Sequence, residues 1–158
     1  MKKVVIAGGG FAGLNLAKKL SKDGSFDFTL VDINNYHFFP PLLYQVAASY
    51  IDRSNISYPL IKFFQNSRNV KFHLGGLRKV RLKENYIETE SGFIDYDYLV
   101  LAMGTEVNYF GMGNIQNNAL AMKTISDALT IRNHLLKMLE ETSQEQSSSE
   151  LNIIIAGG

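Results

Sequence analysis

The feature that most constrains this chain is a short apolar run that ends in three consecutive glycines. Lys3 to Ala7 is typical of a strand covered on both faces of a parallel sheet, and Gly8 to Gly10 end it. A helix is predicted from about Phe11 to Lys22, because apolar residues recur along one stripe and the last turn is basic. A second strand is predicted from Asp27 to Asp32. Strand, helix and strand in about 30 residues form a βαβ unit.

Glycines inside this unit have the spacing of a phosphate-binding turn, Gly8-x-Gly10-x-x-Gly13. Gly8 permits a sharp turn, Gly10 lets a pyrophosphate approach the backbone, and Gly13 lets the helix lie close to the strand. The N–H groups of the first helical turn, which includes Phe11 and Ala12, would then face the phosphates at the positive end of the helix dipole. The pattern predicts a dinucleotide site.

Asp32 supports the same prediction from the end of the second strand. It follows Gly13 by about 20 residues, where such sites place an acceptor for an adenosine ribose hydroxyl. A carboxylate here repels a 2′-phosphate, so NADP is disfavoured at this site. The alternative is a glycine-rich turn beside a surface acid. The glycines do not distinguish FAD from NAD, because both contain the same ADP moiety.

After Asp32 the pattern departs from that of a simple NAD dehydrogenase, which would continue as βαβαβ. Residues 36–58 are aromatic and irregular, with a short helix predicted after Pro40-Pro41 and another near Pro59. Residues 70–97 contain short strand-like runs divided by turn signals, which predict one sheet strand followed by an antiparallel meander.

Two further elements are predicted in the second half of the chain. Tyr98 to Ala102 is a strand of the buried type, and Ile125 to Glu140 is an amphipathic helix. Thr124 and Asp127 have the spacing of a capping box at the start of that helix.

Composition excludes several classes of function. The net charge of +1 gives no field that would attract nucleic acid, and the absence of cysteine excludes disulfides and thiolate metal sites from this stretch. No metal-ligand spacing occurs. No apolar run approaches the roughly 20 residues that span a bilayer.

The last residues of the sequence repeat its beginning. Asn152 to Gly158 (NIIIAGG) matches Lys3 to Gly9 (KVVIAGG) almost residue for residue. Residues 143–150 before it are polar and rich in serine, as in a linker. We therefore expect a nucleotide-binding domain at residues 1–142, a linker at 143–150, and the first strand of a truncated second nucleotide-binding domain at 151–158. A chance match of a strand ending in Gly-Gly is the alternative.

Three runs give the chain a resemblance to a known family. They are Asn35 to Ala47 (NYHFFPPLLYQVA), Tyr96 to Thr105 (YDYLVLAMGT) with Asn108 to Gly111 after it, and Lys123 to Ala128 (KTISDA). In this order they resemble type II NADH:quinone oxidoreductases, and the resemblance covers essentially the whole chain. Met103 is a departure, since many flavoproteins of the wider superfamily have threonine between the alanine and the glycine.

The resemblance implies an α/β fold: a Rossmann-like FAD-binding domain with a parallel sheet, helices and an antiparallel β-meander. FAD would be the cofactor, and NADH and quinone would be the small-molecule substrates. A further C-terminal part would close the flavin site and give a cytoplasmic protein peripheral contact with the inner face of the cell membrane. The resemblance also admits a homodimer and implies no nucleic-acid partner.

Residue roles carried over by position complete the expected site. Gly8, Gly10, Phe11, Ala12 and Gly13 would hold the pyrophosphate and Asp32 the ribose, and Ile33 would also contact the cofactor. Leu77 would bring its backbone near adenine, and Ala102 and Gly104 would pass close to the cofactor. Hydride transfer belongs to the flavin, so no catalytic side chain is assigned.

Other residues in the aromatic segment leave alternatives open. His37 is interpreted as a packing or backbone-bonding histidine, with a proton donor as the alternative. The side chains that follow it could line a flavin edge and a quinone entrance or be core (Phe38, Phe39, Leu42, Leu43 and Tyr44). Two other functions remain open: another FAD/NAD-dependent reductase, of the sulfide:quinone or ferredoxin reductase type, and a stand-alone NAD-binding regulatory module.

Overall fold

A computed structural model describes residues 1–144 and 152–156. The chain forms two compact units, one of Met1–Phe39 with Ile56–Glu106 and one of Pro40–Asn55 with Val107–Gly158. In chain order the described elements are β1 (Lys2–Ala7), α1 (Phe11–Leu20), β2 (Phe26–Asp32), β3 (Tyr36–Phe38), α2 (Leu43–Ala47), β4 (Ser57–Pro59), α3 (Leu60–Phe63), β5 (Val70–Leu74), β6 (Leu77–Arg81), β7 (Tyr86–Thr89), β8 (Gly92–Asp95), β9 (Tyr98–Leu101), α4 (Gly113–Asn118) and α5 (Ile125–Gln144). Short 3-10 turns lie at Pro40–Leu42 and Arg53–Asn55.

A parallel sheet is the frame of the first unit. Its strand order is β5-β2-β1-β9, and all three neighbouring pairs are parallel. The strands β6, β7 and β8 form a separate antiparallel sheet, which is the predicted meander. The α/β fold class is therefore confirmed.

The two faces of β1 are both covered, which explains its uninterrupted apolar sequence. Val4 and Ile6 belong to a buried cluster with Leu14 and Ala17 of α1. Val5 belongs to a second cluster that includes Ile87 of the meander. A strand that alternated polar and apolar residues would leave one of these clusters without its central side chain.

An exposed acid ties the amino ends of β1 and β9 together. The Asp97 carboxylate accepts hydrogen bonds from Lys2 Nζ at 2.8 Å and from the backbone N–H of Lys3 at 2.7 Å. The bond from Lys2, followed by that from the Lys3 amide, holds the pKa of Asp97 below its ordinary value. The hydrogen bond between Lys2 and Asp97 also raises the pKa of Lys2.

In the second unit α2 packs against α5. Leu43 and Val46 of α2 are buried, as are Ile125 and Ala128 of α5. The predicted capping box is confirmed. Asp127 Oδ2 accepts the N–H of Thr124 at 2.8 Å, and Thr124 Oγ1 accepts the N–H of Asp127 at 3.1 Å. Further along α5, the apolar residues Leu136 and Leu139 are about half exposed, at 46% and 51%.

Three local features differ from the predictions. The pairing of β3 with β4 was not predicted, because three-residue strands are too short to show a periodicity. Helix α4 was missed, since its sequence GNIQNN lacks an apolar stripe. Helix α1 ends at Leu20 rather than Lys22, and α5 continues to Gln144 instead of stopping at Glu140. Ends of helices are the least certain part of any sequence pattern.

The predicted linker and second domain lie partly outside the described residues. The linker beyond residue 144 and Gly157-Gly158 are among the residues that are not described. Residues 152–156 are exposed and are assigned no strand. A strand requires a neighbour to pair with, so the domain assignment at 151–158 stays a prediction. Within the described residues no helix combines the length and apolarity needed to cross a membrane.

Candidate dinucleotide-binding site

The predicted site residues meet at the carboxyl edge of the parallel sheet. Strand β1 has β2 on one side and β9 on the other, so the strand order reverses at β1. The glycine turn leaves the end of β1, and Ala102 to Gly104 leave the end of β9 at the same edge. In open α/β sheets this reversal is where ligands bind.

Two glycines of the motif are required by close backbone packing. Gly8 has φ +110°, and a Cβ built on it would overlap the Ala102 carbonyl oxygen. A Cβ on Gly13 would overlap the carbonyl oxygen of Gly8. The turn is also tied to the sheet, because the Gly8 N–H donates to Val31 O at 2.8 Å. Gly8 and Gly13 thus shape the turn and bring α1 close to β1.

Gly10 has the opposite environment. Nothing lies within 4 Å of a Cβ built on it, and its backbone is exposed. It is the N-cap residue of α1, and no side chain donates or accepts a capping hydrogen bond there. The first turn contains no acidic residue, and Phe11 and Ala12 are exposed. The positive end of α1 therefore opens onto space that an anionic group can enter.

Asp32 lies at the end of β2 and is bonded to the glycine turn. Its Oδ2 accepts the N–H of Gly9 at 2.5 Å, and its Oδ1 accepts the N–H of Asn34 at 2.7 Å. The two carboxylate oxygens together offer about four acceptor positions. Asp32 therefore keeps the capacity to accept ribose hydroxyls while it holds Gly9.

Ile33 and Leu77 lie where β2 and β5 end. In the pairing of β2 with β5, Asp32 lies opposite Leu74, and the Gly75 N–H donates to the backbone oxygen of Asp32 at 2.8 Å. Ile33 is 70% exposed and lies against Gly76, whose built Cβ would come within 3.2 Å of Ile33 Cγ2. The Leu77 side chain packs against the meander-side core, so only its backbone could serve a ligand.

Ala102 and Gly104 complete the same edge. The Ala102 N–H donates to Ala7 O at 2.7 Å, which fixes the end of β9 beside the glycine turn. Gly104 is exposed, has φ +77°, and has no atom within 4 Å of a built Cβ. The structure thus brings the glycine turn, Asp32, Leu77 and the end of β9 to one edge of the sheet.

Two contributors were not predicted as site residues, Gly9 and His37. Gly9 is buried in the turn, and its carbonyl lies 3.0 Å from His37 Nδ1. The interpretation of His37 as a packing or backbone-bonding residue is confirmed. No periodicity or motif signals this contact, because it depends on β3, which was itself not predicted.

A parallel sheet with a glycine turn and an acid at its reversal point defines a nucleotide-binding α/β protein. Comparison with protein-family models matches residues 2–158 to the model described as pyridine nucleotide-disulphide oxidoreductase. The chain belongs to the pyridine nucleotide-disulphide oxidoreductase family.

Individual relatives agree with this assignment. The type II NADH:quinone oxidoreductase NdhA of Mycobacterium tuberculosis is 34% identical over 98% of this chain, which covers 34% of that protein. The solved structure of NDH2 from Plasmodium falciparum in complex with NADH matches with a TM-score of 0.83 at 26% identity, over 93% of this chain and 31% of that one. The sulfide:quinone oxidoreductase of Aquifex aeolicus matches with a TM-score of 0.76 at 28% identity, over 92% of this chain and 33% of that one. The resemblance to type II NADH:quinone oxidoreductases is confirmed, and the chain spans about a third of the length of these relatives.

Proposed function

We propose that this chain forms the FAD-binding part of an oxidoreductase that passes electrons from NADH through FAD to quinone. The observation that carries the proposal is the open space at Gly10, in front of an uncapped helix and next to the Asp32 carboxylate. A dinucleotide needs this combination, since its pyrophosphate seeks N–H donors and its ribose seeks an acceptor. Relatives named for NADH and quinone support the two substrates.

Each site residue has a role in holding the cofactor. Gly8 and Gly13 shape the turn, and the backbone at Gly10, Phe11 and Ala12 would donate to the pyrophosphate. Asp32 and Ile33 would receive the ribose, the backbone of Leu77 the adenine, and Ala102 with Gly104 the part of FAD nearer the flavin. FAD itself supplies the two-electron chemistry when bound, and the protein supplies binding and orientation.

A steady-state assay tests the proposed reaction. The full-length protein that contains this chain should oxidise NADH with a soluble quinone analogue as acceptor, and should prefer NADH to NADPH. Strong activity with NADPH alone, or NADH oxidation without any transfer to the quinone, would contradict the proposal.

The wider organisation is proposed on the same basis. Residues 1–142 would be the FAD-binding domain, 143–150 a linker, and 151–158 the first strand of an NAD-binding domain. The full-length protein would be cytoplasmic, with peripheral contact at the inner face of the cell membrane, and a homodimer is the assembly to test first.

A second candidate, sulfide:quinone reduction, is favoured by the match to the Aquifex aeolicus protein. This chain has no cysteine, so any thiol of that reaction would have to come from another part of the protein. Sulfide-dependent quinone reduction in the absence of NADH would favour this candidate over the first.

A further inference from the structure

The peptide that joins Gly9 to Gly10 is held from one side by a histidine. His37 Nδ1 lies 3.0 Å from the Gly9 carbonyl oxygen. A carbonyl oxygen can only accept, so Nδ1 must carry the proton and donate. On its other side Gly9 is held by Asp32, which accepts its N–H at 2.5 Å. Both polar groups of Gly9 are thereby bonded within the protein.

The orientation of the Gly9 carbonyl determines that of the next amide. No described peptide bond is cis, and in a planar trans peptide the C=O and the following N–H point in opposite directions. A carbonyl turned towards His37 therefore turns the Gly10 N–H away from it. Gly10 is exposed and has open space at its Cβ position, so its amide is accessible to a ligand.

This peptide depends on an external bond more than most. Glycine readily adopts backbone angles closed to other residues, and here glycines lie on both sides of the peptide. Without a partner for the Gly9 carbonyl, the flanking glycines allow this peptide unit more orientations than other residues would. A bond to the carbonyl selects one orientation out of several.

The His37 ring is itself well fixed. It lies in β3, where it pairs with Tyr58 of β4. Its ring makes edge contacts with Phe11, at 5.3 Å between centroids, and with Phe63, at 6.2 Å. A donor held in this way loses little conformational freedom when it bonds.

We propose that His37 is a positioning residue for the dinucleotide turn: its bond to the Gly9 carbonyl orients the Gly10 N–H towards the pyrophosphate. This inference rests on the proposed function, and it adds a determinant of affinity that lies outside the glycine motif. His37 touches no cofactor in this role and acts through the backbone.

Two comparisons isolate the donor: wild type with His37→Phe, and His37→Asn with His37→Leu. His37→Phe keeps a ring and removes the donor. His37→Asn and His37→Leu are similar in size to each other and differ in the donor, which the Asn amide places near the position of Nδ1. Binding of ADP and of FAD to the 158-residue chain is measured by calorimetry, and the backbone amide of Gly10 is followed by two-dimensional NMR during ADP titration. Thermal unfolding without ligand monitors the fold.

Wild type should bind ADP, and the Gly10 amide resonance should move on binding. Loss of one hydrogen bond predicts that His37→Phe binds about 3- to 10-fold more weakly than wild type, and His37→Leu about 3- to 10-fold more weakly than His37→Asn. In both donor-free variants the Gly10 amide should shift less at saturation. If His37→Phe does not fold, the pair His37→Asn and His37→Leu decides the question by the same criteria.

Equal affinities within each pair, with an unchanged Gly10 shift, would overturn the role of His37 and leave the proposed function standing. Wild type that binds neither ADP nor FAD would overturn the inference, because no ligand would then meet the Gly10 amide, whereas the steady-state assay of the full-length protein decides the proposed function separately. A loss of affinity that follows a loss of ligand-free thermal stability, with the Gly10 shift unaltered, would identify His37 as structural only and overturn the inference.

Discussion

At the scale of single residues, the glycine motif contains two different requirements. Gly13 lacks a side chain because the backbone of Gly8 occupies the space, whereas Gly10 lacks one although no protein atom lies nearby. The first requirement belongs to folding. The second has no counterpart in the protein's own packing, which is why it points to a ligand.

Alanine substitutions separate the two requirements. Gly13→Ala should destabilise the fold by about 1–3 kcal/mol or more, because the backbone in contact cannot move aside as a side chain would. Gly10→Ala should change the free energy of unfolding by less than about 1 kcal/mol, as expected for an N-cap glycine, and yet weaken ADP binding. Chemical denaturation and calorimetric titration of the two variants give both quantities. A Gly10→Ala variant with wild-type affinity would show that no phosphate approaches this position.

Replacement of Asp32 by alanine should weaken binding of ADP and FAD. The carboxylate would lose a charge-assisted bond to the ribose, for which the cost is about 1.5–3 kcal/mol, and Gly9 would lose its acceptor as well. Asp27→Ala is the matched control, since Asp27 lies on the same strand at its opposite end. Calorimetry should give a higher dissociation constant for the first variant only. Equal constants in the two variants would mean that Asp32 accepts no hydrogen bond from the ribose.

At the scale of elements, Asp97 joins two parallel strands that are far apart in sequence. The pKa of Asp97 lies below its ordinary value of 3.8, because Lys2 and the Lys3 amide bond to its charged form. A lowered pKa in the folded state means that the contribution to stability is present above pH 3.8. This contribution is lost as the pH falls through the lowered pKa that Asp97 has in the folded protein.

Asp97→Asn should therefore be less stable than wild type near neutral pH, and this difference should shrink towards zero under acid conditions. Urea unfolding at a series of pH values measures it. Asp95→Asn is the control, because Asp95 lies 3.8 Å from Lys3 Nζ and is largely exposed, so it should change little. A difference that persists undiminished at the lowest pH would mean that Asp97 acts through its shape and not its charge.

The sequence predicted the elements that have a strong periodicity or a strong stop signal. Strand β1, helix α1 and the meander were predicted because their apolar runs and turn residues are unambiguous. Strands β3 and β4 contain three residues each, so they exist only through their partner and leave no pattern of their own. Leu136 and Leu139 continue the apolar stripe of α5. The stripe alone does not show where the helix that packs against it, α2, ends.

The site was predictable to a similar extent. The glycine spacing and Asp32 could be identified because their mechanism fixes their distance along the chain. Gly9 and His37 could not, since the first is defined by a side chain 23 residues away and the second by a strand pairing. Contacts through backbone carbonyls carry no residue preference that a sequence could display.

At the scale of the whole molecule, the described site is open. Gly10, Phe11, Ala12, Ile33 and Gly104 are all exposed, so the edge of the sheet contacts a dinucleotide from one side. Tight sites for small molecules enclose about 70–90% of the ligand surface. The chain spans about a third of the length of its relatives, for example 34% of the Mycobacterium tuberculosis protein.

We therefore expect the 158-residue chain alone to fold, to bind FAD with an affinity weaker than submicromolar, and to lack NADH dehydrogenase activity. Reaction also requires that NADH be held against the flavin in a reactive geometry, and the described residues offer no second nucleotide turn for that purpose. Calorimetric titration with FAD and an NADH oxidation assay test these expectations. Submicromolar binding would mean that this part alone encloses the flavin.

The bond between Asp32 and Gly9 has a consequence for protein engineering. In dinucleotide sites of this class the acid at the end of the second strand accepts a ribose hydroxyl, so it is the residue that a designer would exchange to change the nucleotide that is bound. Here that exchange would also remove the acceptor that holds the Gly9 N–H, so ribose selectivity and the geometry of the proposed pyrophosphate turn would change together. A designer would have to supply a new acceptor for the Gly9 amide in the same step, and variants changed at position 32 alone should bind the cofactor weakly.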